Sequence, residues 1–382
     1  MEIEQYINQK KQYYDSFRRF IENNNDTDGA NYLNLVQVVE EQKILENREE
    51  LKLFLKLILI IFNNHHRYSG FFNKIKKILF NIKDNIKQTF SNLEIFNIFY
   101  PNKLIILFLC KNHILTIDQS IYDQIIAKKE TDRNFFYYFY PEIKNFITEE
   151  ETKNIENKLL KENPKFFEKF EENRQIGEND SKICQIIRND SIDEFISYVN
   201  ETNLPLSSKI KLSIFETNSF LIKNQEPSLI EYAAFFESAQ IFKYLSENKV
   251  VLSPSLWLYA IHGHDTELIH LLEENKIDPP DMSYEKCFIE SIKCHHNDIA
   301  NYIMINFLKK EDESSINDNN VNDNYISYSF KYQNYLFMPK NFNNKYVFCY
   351  LCKYDYLTLV DILIKTEKSM INTTIKPILN LI

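Results

Sequence analysis

Three places in the sequence gather side chains that bind metal ions. His262-Gly263-His264-Asp265 lies inside AIHGHDTELIH, with His270 at its end. It has the spacing by which some hydrolases hold zinc through His-x-His and a following Asp. Cys294-His295-His296 is the second group, and Cys349-x-x-Cys352, the spacing of a zinc knuckle or a redox pair, is the third. A catalytic zinc ion takes three protein ligands and keeps a position open, whereas a structural one takes four. Two paired cysteine sets are the strong signature of the latter, and here there is one. A redox Cys-x-x-Cys wants a thioredoxin-like βαβ setting, and the patterning predicts no strands. The sequence also lacks a Gly-rich phosphate loop, a His-Glu-x-x-His motif and a nucleophile with a base beside it.

The elements that must position these groups are helices. The chain has 382 residues, enough for two or three domains and a large core, and only four glycines. Tight hairpins and phosphate loops use glycine for positive φ, so sandwiches, barrels and nucleotide-binding α/β folds are disfavoured. Helices can instead be joined by Asn, Asp and Ser turns. Hydrophobic residues are 44% and charged residues 26%, as in soluble globular chains. The net charge of −9 argues against nucleic acid or anionic membrane as a partner. Scattered cysteines and a start, MEIEQYINQKK, without an apolar core point to a reducing, cytoplasmic (intracellular) setting. The longest apolar runs, Leu57 to Phe62 and Leu104 to Cys110, fall far short of the ~20 residues of a membrane span.

The first half reads as successive amphipathic helices. Ile3, Tyr6, Ile7, Tyr14, Phe17, Phe20 and Ile21 keep helical spacing, and Phe71 to Phe90 carries a long periodic stripe. Leu51 to Phe62 is apolar around most of its circumference and belongs at the centre. His65-His66 then reads as a helix end, with imidazoles near the negative pole of the dipole. Lys74, Lys76, Lys77, Lys83 and Lys87 form a wet face. The run FFYYFY, Phe135 to Tyr140, is expected to be buried. Thr148 to Glu151 fits a capping box, and PKFFEKFEENRQIGENDS reads as an exposed link.

The second half repeats. PSLIEYAAFFESAQIFKYLSENKV starts at Pro227 and PSLWLYAIHGHDTELIHLLEENKI at Pro254, 27 residues apart. A fixed period of this size means stacked units that cannot bury their faces alone. Weaker copies follow, with Ser291 and then Leu351 in the place of Ala260, and ICQIIRNDSIDEFISYV opens the series with Ile187 there. Each copy reads as a helix, a polar turn and a second helix. Ser228 and Glu231 make a capping box for the first helix, Ser238 and Asp265 suit the N-cap of the second, and Gly263 relaxes the turn. In this register His262, His264 and Asp265 replace Phe235, Glu237 and Ser238, and His295-His296 falls on the same turn.

SLIEYAAFFESAQIFKYLSEN resembles the ankyrin repeat: Ser228 stands at its Thr, Ile230 at its Leu, Glu231 at its His and Ala233-Ala234 at its Ala pair. The proline is displaced, and the turn glycine is missing or shifted. The segment from about Ile183 to Ile362 resembles more closely a helical domain of unknown function that precedes or merges with ankyrin repeats in large families of trichomonad-type protists. KICQIIRNDSIDEFISYVN, LWLYAIHG and SIKCHHNDIANYI carry that likeness. Such proteins usually continue into regular ankyrin repeats, which do not follow in this sequence. The resemblance implies an architecture rather than an activity.

The sequence therefore predicts an all-α protein. A helical array over 1–178 is followed by a divergent ankyrin-like helix-turn-helix solenoid over 179–382, with an acidic, Asn-rich surface insertion near 310–324. The expected function is a non-enzymatic protein–protein interaction scaffold without catalytic residues, metal or cofactor. Its partner is another protein, met at turn positions Glu237, Ser238, His262, His264, Asp265, His295 and His296. The alternative is a zinc-binding domain or zinc-dependent hydrolase using Cys294, His295, Cys349 and Cys352, or the His262 group.

Overall fold

The computed structural model describes residues 3–366 except 24–28, 69, 163, 165, 225, 309–322, 340–341 and 343–344. Regular structure among the described residues is helical, with twenty-four α-helices and one isolated bridge between Lys209 and Ser228. The expected acidic insertion lies outside the described residues up to 322; the Asp323–Lys331 helix follows it. No helix among the described residues is long and apolar enough to cross a membrane.

The chain forms two compact units, residues 1–85 with 278–382, and residues 86–277. The division read from the sequence at 178/179 thus falls inside the second unit. The reason is local: the expected link is packed. Phe170 and Arg174 of the Phe170–Ile176 helix are buried, and Arg174 pairs with Glu142 at 2.6 Å and Glu171 at 2.9 Å. Tyr138 donates to the Arg174 carbonyl at 2.6 Å. A buried guanidinium is tolerable only with such partners, and they tie the Phe170–Ile176 helix to the aromatic run Phe135 to Tyr140, which is wholly buried.

In the first unit the Arg48–Asn64 helix is central. Asn47 caps it, accepting from the amides of Glu49 and Glu50. Leu51, Leu53, Phe54, Leu55, Leu57, Ile58, Ile61 and Phe62 are all buried, which leaves little of its circumference in water. Lys52 and Lys56 escape burial by pairing with Asp355 at 3.2 and 2.6 Å. The Ile3–Glu22 helix buries Tyr6, Ile7, Tyr13, Tyr14, Phe17, Phe20 and Ile21 at helical spacing. It also buries Lys10, which pairs with Glu50. The Glu285–Cys294 helix packs on the Arg48–Asn64 helix, and the Leu357–Thr366 helix packs on both it and the Ile3–Glu22 helix.

The second unit holds three helix pairs: Lys182–Arg188 with Ile192–Thr202, Leu229–Phe235 with Ala239–Glu247, and Leu256–Gly263 with Thr266–Glu274. Their first helices pack in series, the middle one against both others. Gly263 shows how closely. It ends its helix, and a Cβ there would come within 2.7 Å of the Ala234 carbonyl oxygen. The glycine is thus needed for close approach between neighbouring pairs. It does not relax the turn as the sequence suggested; the turn's left-handed residue is His264, at φ 61°. Two further pairs, Glu285–Cys294 with Asn297–Ile303 and Lys345–Lys353 with Leu357–Thr366, belong to the first unit.

Candidate functional site

All five pairs share one turn. Asp190, Glu237, His264, His295 and Asp355 have φ between 48° and 65°. After each, the next residue's amide donates to the carbonyl five positions back: Ser191 to Ile186, Ser238 to Ala233, Asp265 to Ala260, His296 to Ser291 and Tyr356 to Leu351. This is the Schellman closure of a helix, for which glycine is the easy residue. Here Asp, Glu and His take the left-handed region at some steric cost. The bonds also correct one alignment: Ile186, rather than Ile187, takes the place of Ala260 in the opening copy.

The second helices begin two residues later and are capped in different ways. Asp265 accepts from the Leu268 amide at 2.9 Å, as its position predicted. Ser238 does not cap; its hydroxyl donates to the Ile187 carbonyl at 2.5 Å. Asp190, from the preceding turn, caps in its place, accepting from the amides of Gln240 and Ile241 at 3.0 Å each. One pair thus closes the helix of the next, a role invisible to a search for local capping patterns.

Of the seven turn positions expected to meet a partner, Glu237 is exposed and His264 and Asp265 are half-buried. Ser238, His262, His295 and His296 are buried, at 1% exposure each, and a covered side chain offers a partner nothing. His262 lies tilted against Phe220, with ring centroids 3.8 Å apart. Glu237 is raised above the usual carboxylate range by desolvation and by the neighbouring Asp265 carboxylate, and Asp265 is raised chiefly by desolvation.

The metal groupings expected from the sequence are not the ones that assemble. Among the described residues, His262, His264 and Asp265 form no converging ligand set, and Cys349 and Cys352 join none. Cys352 is exposed, whereas Cys294 is fully buried and its thiol is pushed well up by desolvation. Desolvation likewise raises Cys184 to about 11 and Cys110 to about 12, so these thiols stay protonated near neutral pH. His295 serves the core: its Nδ1 lies 2.8 Å from Tyr14 Oη, and desolvation pushes the imidazole down to about 3. Asn297 donates to the same Tyr14 oxygen at 3.2 Å, and Asn334 donates to Asn297 Oδ1 at 2.8 Å.

A different set of histidines does converge, within the first unit. His65 is the C-cap of the Arg48–Asn64 helix, His66 follows it, and His296 is the N-cap of the Asn297–Ile303 helix. His296 Nε2 lies 2.9 Å from His65 Nδ1 and 3.2 Å from His66 Nδ1. The three ligand nitrogens all fall within 4.8 Å of one another. His65 and His296 are buried and His66 is half-buried. Phe71 packs edge-on to His65 and Tyr68 lies against His66. The sequence signal was divided: an adjacent pair at a helix end, and a third imidazole some 230 residues away in a turn.

Comparison with known proteins finds no family model, curated protein or solved structure that matches this chain.

Proposed function

We propose that the chain is a non-enzymatic protein–protein interaction module, a divergent helical repeat of the ankyrin type, whose partner meets the turn edge formed by Glu237, His264 and Asp265. The observation that carries this reading is the recurrence of one turn backbone in successive packed pairs. Stacked units of this kind present side chains at regular intervals along one edge, and turn residues that reach water, as Glu237, His264 and Asp265 do, can vary without disturbing the core.

The test is affinity capture from the native cell with wild type and with a Glu237→Lys/His264→Asp double variant. Both positions reach solvent, so the variant should keep its helical circular dichroism. The expected result is a protein retained by wild type and lost by the variant. Equal retention by both would remove the turn edge from the interaction.

A further inference from the structure

We infer that His65, His66 and His296 form a binding site for a divalent transition-metal ion of the kind imidazole suits, zinc first among them. Zinc–nitrogen bonds of about 2.0–2.1 Å at tetrahedral angles set ligand nitrogens roughly 3.3 Å apart. The separations of 2.9 and 3.2 Å about His296 Nε2 are close to that edge, and the third lies within 4.8 Å. Hydrogen bonds between the rings serve the convergence only in part. A neutral imidazole nitrogen carries one proton or one lone pair in the ring plane, so His296 Nε2 can make one good bond to its two neighbours, not two. A cation between the rings would use all three lone pairs.

Coordination would need the Nε2–H tautomer of His65 and His66 and the Nδ1–H tautomer of His296; no net proton is lost. In the metal-free state His65 Nδ1–H can donate to the Cys294 carbonyl, 3.2 Å away, a bond that the ion would displace. Two features favour a cation here. The C-terminal end of the seventeen-residue Arg48–Asn64 helix directs its partial negative charge at the site. Half-buried His66 leaves a way in from solvent. Three protein ligands leave at least one position for water. The site lies in the first unit and does not depend on the turn edge proposed above.

The experiment titrates the full chain, stripped with EDTA, with Co²⁺ alone and then Zn²⁺ alone. One Co²⁺ per chain is expected, with the visible absorption of a low-coordinate site, and Zn²⁺ should displace it. His66→Ala should weaken binding by about 100-fold or more, since even outer-sphere partners of metal ligands are worth 10–100-fold. Cys352→Ser should leave it unchanged. Independently of any variant, Co²⁺ should shift the ring protons of three of the eight histidines. The inference is overturned by the absence of stoichiometric binding, by equal affinity in His66→Ala, by loss in Cys352→Ser, or by paramagnetic shifts on fewer than three imidazoles.

Discussion

The turn that follows the Leu256–Gly263 helix and the turn that follows the Glu285–Cys294 helix have one backbone and opposite surroundings. Both place a histidine in the left-handed region, His264 at φ 61° and His295 at φ 62°. Both close with the same amide-to-carbonyl bond, 3.0 Å in one and 3.1 Å in the other. Around the first, His264 and Asp265 reach water, and Asp265 caps a helix. Around the second, Tyr14 covers His295, while His65 and His66 meet His296. A repeat turn is therefore not a binding edge by virtue of its register. Its neighbours in space decide whether it faces a partner, joins a core or collects ligands.

The sharpest way to break this comparison is to truncate both histidines. His295→Ala should destabilise by about 3 kcal/mol, because it opens a cavity and removes the shortest of the bonds Tyr14 Oη makes in a buried network. His264→Ala should change stability by less than about 0.5 kcal/mol, as surface substitutions usually do. Chemical denaturation of both variants without added metal checks this; similar losses would mean that the two turns are equally structural.

The next effect concerns the approach of one pair to another. Gly263→Ala places a methyl group within 2.7 Å of the Ala234 carbonyl, and backbone cannot rotate away as a side chain can. The expected cost is about 1–3 kcal/mol, the range for overpacking. An Ala variant as stable as wild type would show that the pairs are packed more loosely than this contact requires.

The sequence made the helical class legible through its patterning and its four glycines, and the turn register through the 27-residue recurrence. Local rules found the Ser228–Glu231 and Thr148–Glu151 capping boxes because both partners lie within four residues. They found Asp265 as a cap and missed Asp190, whose carboxylate acts 50 residues away. The same limit hid the histidine cluster. Whether His295 and His296 are covered depends on Tyr14 and His65, which are 281 and 231 residues distant in the chain. Pattern reading also mistook 164–181 for a link, because one buried Arg174 with two carboxylate partners looks in sequence like an ordinary charged surface.

The smallest effect probes the exposed turn by pH. Glu237 has a folded pKa above its ordinary 4.5, from desolvation and from Asp265, while His264 nearby works in the opposite direction. A carboxyl whose pKa is raised by folding binds protons more tightly in the native state. Its protonated form therefore favours the fold below about pH 4.5, and that contribution is lost as pH rises through the folded value. Glu237→Gln removes the ionisation and keeps the shape. The variant should melt slightly above wild type at pH 7, and the difference should shrink as pH falls through the folded value and be gone below about pH 4.5. Comparing the two proteins at each pH cancels the acid sensitivity of every other carboxylate. A variant that melts below wild type at pH 7 would show that the Glu237 charge is held by a favourable partner, and the turn would then resemble the covered one at His295 more than an edge open to a binding partner.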